Sequence, residues 1–253
     1  MAGVSIPTRL GPDRVAVAYR TGAAEQVATT LDRVVVAEVA AGRPVREFRW
    51  YQGRKHYSGW YWAATTHAMI IYESRLELAR IMLADFDPAV VGIAAQPMQL
   101  CAPDGGRLRR HVPDLLLMDR GGGVTVVDVK SPSKREDPDT RAVMACTRQV
   151  AGLRGWGFEE WYEAPRQMLA NVTFLAGYRR PAVIDLALLA PVREAAGGGC
   201  AIVDVERVLA GHDVRLVRPV VLHLLWRGDL VTDLTRPLDG LSKVRPGEQA
   251  ASR

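Results

Sequence analysis

The sequence has 253 residues, of which 48% are hydrophobic and 24% are charged, and this composition is typical of a globular protein. No stretch approaches the roughly 20 apolar residues that cross a membrane, and the first residues lack the basic and apolar regions of a secretion signal. We therefore expect no membrane association and a cytoplasmic location. The net charge of +5 is compatible with nucleic-acid binding without requiring it, and three widely separated cysteines predict neither a disulfide framework nor a zinc site.

The pattern of apolar and polar residues divides the chain into three predicted regions. Residues 1–55 form a β-rich extension, in which short strands are predicted over "RVAVAY" and "RVVVAEV". Residues 56–182 predict an α/β domain that runs helix, three strands, helix, strand and helix. Residues 183–253 predict two helices and a short hairpin, an order that indicates a small winged-helix-like module, followed by a loose tail.

The α/β region begins with a helix and continues with three strands. The helix is predicted over "YESRLELARIMLADF", and Pro88 follows its end. One strand is predicted over "VVGIAAQPMQLCA", in which Pro97 indicates an edge position or an irregularity. The next two strands are predicted to form a hairpin, "HVPDLLLMDRGGGVTVVDVK", with a turn at its glycine-rich centre. This hairpin carries charged residues where a buried strand would be apolar.

The charged residues of the hairpin include two carboxylates and an ammonium group. Because strand side chains alternate, Asp128 and Lys130 share one face, and Asp114 lies within about one residue of the position opposite Asp128. Two adjacent carboxylates repel each other unless a cation lies between them, and Mg²⁺ is held by one or two carboxylates with water and phosphate. Lys130 cannot be a ligand while it is protonated, but it can orient a water molecule or stabilise charge on phosphorus.

The preceding helix offers a further carboxylate. Glu73 and Glu77 are four residues apart and therefore lie on one helical face. Each acid also has a simpler interpretation, since Asp114 can be a turn aspartate and the other charged groups can face solvent. The combination of an acidic helix, a Pro-Asp, a turn and an Asp-x-Lys favours a metal site.

This arrangement resembles the PD-(D/E)xK nuclease superfamily, in which these motifs occur in an α-β-β-β-α-β order. Within that superfamily, residues 56–180 are most similar to TnsA-type endonuclease subunits of heteromeric transposases. The similarity is carried by the segments "HYSGWYWAATT", "YESRLELARIMLADFDP", "QPMQL", "HVPDLLLMD", "VVDVKSP" and "NVTFLAGYRRP". The resemblance implies an α/β fold with a restriction-endonuclease-like core, a mixed sheet flanked by helices.

The resemblance also implies an activity and a set of partners. A protein of this type is expected to hydrolyse phosphodiester bonds at transposon ends, on the strand that its DDE-type transposase partner does not transfer. Mg²⁺ would be the cofactor, with Mn²⁺ as a substitute, and DNA, the transposase and an AAA+ regulator ATPase would be the partners. The C-terminal module would contact either a partner protein or DNA.

Site residues follow from the same resemblance. The helix acid of TnsA-type proteins lies in a Ser-x-Leu-Glu-Leu context, which selects Glu77 and leaves Glu73 as the alternate. The Pro-Asp acid is Asp114, the second hairpin acid is Asp128 and the lysine is Lys130. The three acids Glu77, Asp114 and Asp128 would hold the metal, and Lys130 would position the attacking water. One TnsA pattern has glutamine at the position of Asp128, where aspartate gives a fuller metal-binding set.

Two other functions are compatible with the sequence. The first is a restriction, repair or phage-defence endonuclease of the same superfamily. The second is a catalytically idle subunit that binds or bridges DNA. The histidines show no ligand spacing, so we expect surface or core roles for His67, His111, His212 and His223.

Overall fold

The computed structural model describes residues 10–46 and 57–248. The predicted loose tail comprises about the last ten residues, of which residues 249–253 lie outside the described residues, as do parts of the predicted N-terminal extension. The strand Lys243–Pro246 overlaps the start of that tail, so the tail is not loose throughout. The described chain is a mixed α/β protein with several sheets. Among its helices, none is both long enough and apolar enough to cross a membrane.

The chain divides into two compact units. The first comprises Met1–Ile81 and Ala89–Glu163, and the second comprises Met82–Pro88 and Ala164–Arg253. The predicted N-terminal extension thus falls in the same unit as most of the predicted α/β domain. The division after Glu163 also lies earlier than the predicted boundary near residue 182.

The first unit contains both four-stranded sheets of the described chain. Its elements, in chain order, are β1 (Ala16–Arg20), β2 (Gln26–Thr30), α1 (Val36–Ala40), β3 (Gly59–Ala63), β4 (Ala68–Tyr72), α2 (Arg75–Phe86), β5 (Val90–Ala95), β6 (Met98–Asp104), β7 (Arg107–His111), β8 (Leu115–Asp119), β9 (Val124–Val129), α3 (Pro138–Gly152) and β10 (Gly157–Trp161). The last residues of α2 are assigned to the second unit.

The strands form two larger sheets and one hairpin. The first sheet has the order β2-β1-β6-β7, and all its neighbours are antiparallel. The second has the order β10-β9-β8-β5, in which β9 and β10 are parallel and the other pairs are antiparallel. Strands β3 and β4 form a separate antiparallel hairpin. Side chains of both four-stranded sheets and of α3 share one apolar core, which includes Val17, Leu100, Leu116, Val126 and Val150.

The second sheet contains the predicted order of elements. Helix α2 leads into β5, the hairpin β8–β9 follows, and α3 crosses to β10, which lies parallel to β9. Such a parallel neighbour requires a crossover connection, and α3 supplies it. The predicted helix, strands, helix and strand are therefore present, and the predicted helix end before Pro88 is confirmed at Phe86.

Two strand predictions in the first unit are wrong. The segment "VVGIAAQPMQLCA" is not one strand, because it breaks at Gln96, whose backbone is left-handed with φ of 46°, and the irregularity that Pro97 indicated is confirmed there. Its first half, β5, lies in the second sheet, and its second half, β6, pairs with β1 in the first. The segment "RVVVAEV" begins at the last residue of a 3₁₀ turn, Leu31–Arg33, and continues into α1 in place of a strand. Strands β2 and β6 occupy the two edges of β1, so the segment "RVVVAEV" cannot pair with β1.

The second unit is a helical cluster with a small sheet. Its elements are α4 (Arg166–Leu175), α5 (Leu189–Ala195), β11 (Cys200–Ala201), α6 (Ile202–Val208), α7 (Val214–Trp226), β12 (Leu230–Val231) and β13 (Lys243–Pro246). The three strands have the order β11-β13-β12. The predicted order of two helices followed by a hairpin is present in α6, α7, β12 and β13. Apolar side chains of the four helices form its core, among them Val172, Val192, Val205 and Val221.

Candidate active site

The β8–β9 hairpin brings two predicted acids opposite each other. Leu115 of β8 pairs with Val127 of β9, so the next position along the hairpin places Asp114 opposite Asp128. The sequence predicted this register to within about one residue. The open end of the hairpin is therefore the place where the charged side chains meet.

The turn at the other end of the hairpin fixes this register. Asp119 Oδ1 accepts hydrogen bonds from the backbone N–H of Gly121 at 2.7 Å and of Gly123 at 2.9 Å. Gly122 has a φ of 82°, a conformation that glycine adopts without steric cost. The glycine-rich segment is thus a turn that one carboxylate stabilises.

Asp114 accepts three hydrogen bonds from two parts of the chain. Its Oδ2 accepts a hydrogen bond from the backbone N–H of Val129 at 2.7 Å and from Lys130 Nζ at 2.9 Å. Its carbonyl oxygen accepts one from the N–H of Gln96 at 2.9 Å, at the break between β5 and β6. Both hydrogen bonds to the carboxylate use Oδ2, and the side chain is 20% exposed. Oδ1 is therefore the oxygen of Asp114 that can take a further partner.

Lys130 links the two hairpin acids. Its Nζ donates to Asp114 Oδ2 at 2.9 Å, to the carbonyl of Val129 at 3.1 Å and to Asp128 Oδ1 at 3.4 Å. Its backbone N–H donates to the carbonyl of Trp161, which follows the parallel pairing of β9 with β10. The ammonium group thus neutralises charge between two carboxylates that the sequence analysis assigned to a metal ion.

Asp128 contacts a histidine that the sequence analysis did not assign to the site. Its side chain is fully buried, and His111 Nε2 lies 2.7 Å from Oδ1 and 2.9 Å from Oδ2. His111 ends β7, in the other sheet, so strand alternation within the hairpin could not reveal the contact. The only sequence signal was its position three residues before Asp114. The sequence predicted only a surface or core role for His111 and did not predict its contact with Asp128.

Glu77 lies in the first turn of α2 and caps it. Ser74 Oγ accepts a hydrogen bond from the N–H of Glu77 at 3.1 Å and donates one to Glu77 Oε1 at 3.0 Å. Glu77 Oε2 accepts the backbone N–H of Glu73 at 2.9 Å. These reciprocal bonds resemble a capping box, in which a serine and an acid satisfy the free N–H groups of a helix start. The prediction that Glu73 and Glu77 share one helical face is wrong, because Glu73 precedes α2 and reaches Glu77 through its backbone N–H.

Helix α2 is tied to the site sheet by an ion pair one turn after Glu77. Arg80 Nε donates to Glu159 Oε1 at 2.9 Å, and Nη2 donates to Oε2 at 2.7 Å. Arg80 is 13% exposed, and Glu159 belongs to β10. A two-bonded arginine–carboxylate pair restricts both distance and orientation. It therefore holds the start of α2 against the sheet that carries the hairpin.

Burial and mutual repulsion raise the pKa values of two acids. Burial raises the pKa of Glu77 to about 7, and the charge of Asp114 adds to the effect, while the hydrogen bonds from Glu73 and Ser74 oppose it. Burial also raises the pKa of Asp114, which Lys130 opposes and the charge of Asp128 reinforces. Burial works to lower the pKa of Lys130, but the two carboxylates outweigh it and raise that pKa. The lysine therefore stays protonated at neutral pH.

The donor set matches the chemistry of a hard divalent cation. Glu77, Asp114 and Asp128 supply only carboxylate oxygens, which Mg²⁺ prefers. A bound cation would also lower the raised pKa values of Glu77 and Asp114, because positive charge favours the ionised carboxylates. In the arrangement described, however, no three acid, histidine or cysteine side chains of residues 10–46 and 57–248 are grouped closely enough to hold a metal ion. The ammonium of Lys130 provides the positive charge instead.

Comparisons with known proteins add no relative to this description. No protein-family model matches the chain, and no curated protein matches it either. A functional assignment therefore depends on the residues and contacts of the chain itself.

Proposed function

We propose that this protein is a metal-dependent DNA endonuclease subunit of a heteromeric transposase, which hydrolyses phosphodiester bonds at transposon ends. Its partners would be DNA, a DDE-type transposase subunit and an AAA+ regulator ATPase. The observation that carries the proposal is the contact of Lys130 Nζ with both Asp114 and Asp128, at 2.9 and 3.4 Å, at the open end of the β8–β9 hairpin. The Pro-Asp motif and the Asp-x-Lys motif thus lie in contact in the folded chain.

The acid residues and the lysine have different roles in this proposal. Asp114 and Asp128 would hold Mg²⁺ or Mn²⁺, with Glu77 as a further ligand directly or through water, and the metal when bound lowers the pKa of a water molecule and stabilises charge on phosphoryl oxygens. Asp114 presents Oδ1 as its free oxygen. Glu77, with a pKa of about 7, can release its proton near neutral pH. Each carboxylate is fixed by backbone or side-chain donors, which limits the geometries that the site must sample.

Lys130 would position the attacking water or a phosphate oxygen. An ammonium group has three donors, and all three are in use here, towards Asp114, Asp128 and the carbonyl of Val129. The contact with Asp128 is the longest, at 3.4 Å, so the donor that makes it is the easiest to redirect. The side chain is 27% exposed, so it is not fully closed off from solvent.

A plasmid-nicking assay tests the proposal. Supercoiled DNA with candidate transposon ends is incubated with Mg²⁺ or Mn²⁺ and the protein, alone and with the candidate partners, because a transposition nuclease is expected to await its complex. We expect metal-dependent nicking that is lost in Lys130→Ala and Asp114→Ala but retained in Lys134→Ala, an exposed lysine outside the site. Undiminished nicking by both site variants would refute the assignment. Neighbouring genes for a DDE recombinase and an AAA+ ATPase would favour transposition. A neighbouring methyltransferase gene would favour restriction instead.

A second candidate function is a catalytically idle subunit that binds or bridges DNA. It is favoured by one observation, which is that Lys130 already neutralises the two hairpin acids. Calorimetric titration of Mn²⁺ into the wild type and Asp114→Ala separates the two functions. Binding that depends on Asp114 supports the nuclease, whereas no binding to either protein supports the idle subunit.

A further inference from the structure

We propose that His111 sets the cation affinity of the candidate active site, because it competes with the cation for the carboxylate of Asp128. The inference rests on the proposed function and concerns the same site. It assigns a role to a residue from β7, which belongs to the first sheet, whereas the predicted site residues lie on α2 and on the hairpin.

The competition follows from the position of the imidazole nitrogen. His111 Nε2 is almost equally distant from both oxygens of Asp128, at 2.7 and 2.9 Å, so its N–H is shared between them. A donor shared in this way lies on the side of the carboxylate that faces away from its Cβ, which is the side from which a cation approaches. A cation that binds Asp128 must therefore displace at least one of these contacts.

The other surroundings of Asp128 increase the cost of that displacement. The side chain of Asp128 is fully buried, whereas those of Asp114 and Lys130 are 20% and 27% exposed. The remaining ionic contact of Asp128 is the longer one to Lys130, at 3.4 Å. Hydrogen bonding to a buried carboxylate therefore comes mainly from His111. A cation gains the interaction with Asp128 only by giving up that hydrogen bond.

Removal of the donor should tighten cation binding. In His111→Ala and His111→Leu, Asp128 loses its principal hydrogen-bond donor and becomes available to the cation. Leucine replaces the imidazole by an apolar side chain of similar size. A hydrogen bond to a charged group corresponds to roughly tenfold in affinity or more, so we expect Mn²⁺ to bind about tenfold more tightly to both variants. In His111→Gln, the amide Nε2 lies as many bonds from Cβ as the imidazole Nε2, so affinity should stay within about threefold of the wild type.

Calorimetric titration of Mn²⁺ at fixed pH measures these affinities without any requirement for cleavage. The wild type, the three His111 variants, Asp114→Asn and the matched control His212→Ala, an exposed histidine in the second unit, are compared after circular dichroism confirms folding. Tightening in His111→Ala or His111→Leu with a wild-type value for His111→Gln supports the inference. Unchanged or weaker binding in the donor-free variants would overturn it, and so would equal tightening in His111→Gln.

The outcomes also separate this inference from the proposed function. If Asp114→Asn abolishes binding while the donor-free variants bind as the wild type does, only the competition by His111 is refuted. If the wild type and every variant fail to bind Mn²⁺, the cation site itself is refuted, and this inference falls with it.

Discussion

The protonation of Glu77 should make the stability of this protein depend on pH. Glu77 has a pKa of about 7 in the folded protein against an ordinary value of 4.5, so between these values the folded state binds more protons than the unfolded state. Stability therefore falls as pH rises through this window. At about 1.4 kcal/mol for each pH unit of separation, the ionised side chain lowers the free energy of unfolding by about 3 kcal/mol above pH 7.

The variant Glu77→Gln removes the ionisation and nearly preserves the shape. Its single amide oxygen can accept from Ser74 or from the N–H of Glu73, but not readily from both, so it loses one hydrogen bond worth about 1 kcal/mol. At about pH 8.5 the variant should therefore be more stable than the wild type by about 2 kcal/mol. At about pH 5 the folded wild type keeps its proton while the unfolded chain has begun to release it, which lowers the stability of the wild type by about 1 kcal/mol, so the two should be nearly equal.

Urea unfolding at both pH values, with a chelator present, measures the difference directly. The comparison of the two proteins at each pH cancels the contributions of other titrating groups. Glu73→Gln is the matched control, because the contact of Glu73 with Glu77 uses its backbone N–H, and it should show no such pH dependence. A stability difference between wild type and Glu77→Gln that stays constant from pH 5 to pH 8.5 would refute the reasoning.

Three further substitutions test the supports of the two units. Arg80→Lys replaces a two-bonded pair with Glu159 by a single contact, and we expect a loss of about 1–2 kcal/mol in urea unfolding together with weaker nicking. Asn171→Ala removes two donors to carbonyls of the loop 232–242 and an acceptor for one of its N–H groups, at a cost of about 3 kcal/mol and with faster limited proteolysis of that loop. Asp119→Ala removes two hydrogen bonds in the hairpin turn, and about 1 kcal/mol of stability should be lost without any change in far-ultraviolet circular dichroism. Changes below about 0.3 kcal/mol would contradict the assigned contacts in each case.

Local pattern was sufficient to predict the hairpin and the helix α2 that precedes it in the chain. The glycine-rich segment located the turn near Asp119, and counting outward from it placed Asp114 within about one residue of the position opposite Asp128, where the structure has it. Helical periodicity located α2, and Pro88 located its end. These features depend on residues close in sequence, so a single sequence contains the information that determines them.

The parts that sequence analysis missed depend on contacts between distant segments. The assignment of β5 and β6 to different sheets follows from the left-handed Gln96 and from the edge of β1, which is distant in sequence. The contact of His111 with Asp128 joins two sheets, and no periodicity within either strand predicts it. The position of Lys130 between two acids depends on its rotamer, which alternation alone does not specify.

Among the three acids, Glu77 carries the most weight in the choice between a cation site and a purely structural cluster. Asp114 and Asp128 each contact the ammonium of Lys130, so a structural role would account for both of them. Glu77 has only neutral donors among its described contacts, a serine hydroxyl and a backbone N–H, and burial raises its pKa to about 7. A glutamine would cap the helix with one hydrogen bond fewer and without the cost of a buried charge. A carboxylate at this position, next to the charge of Asp114, is what the proposed cation site would require. The stability of Glu77→Gln at different pH values, and with Mn²⁺ added, therefore tests that proposal directly.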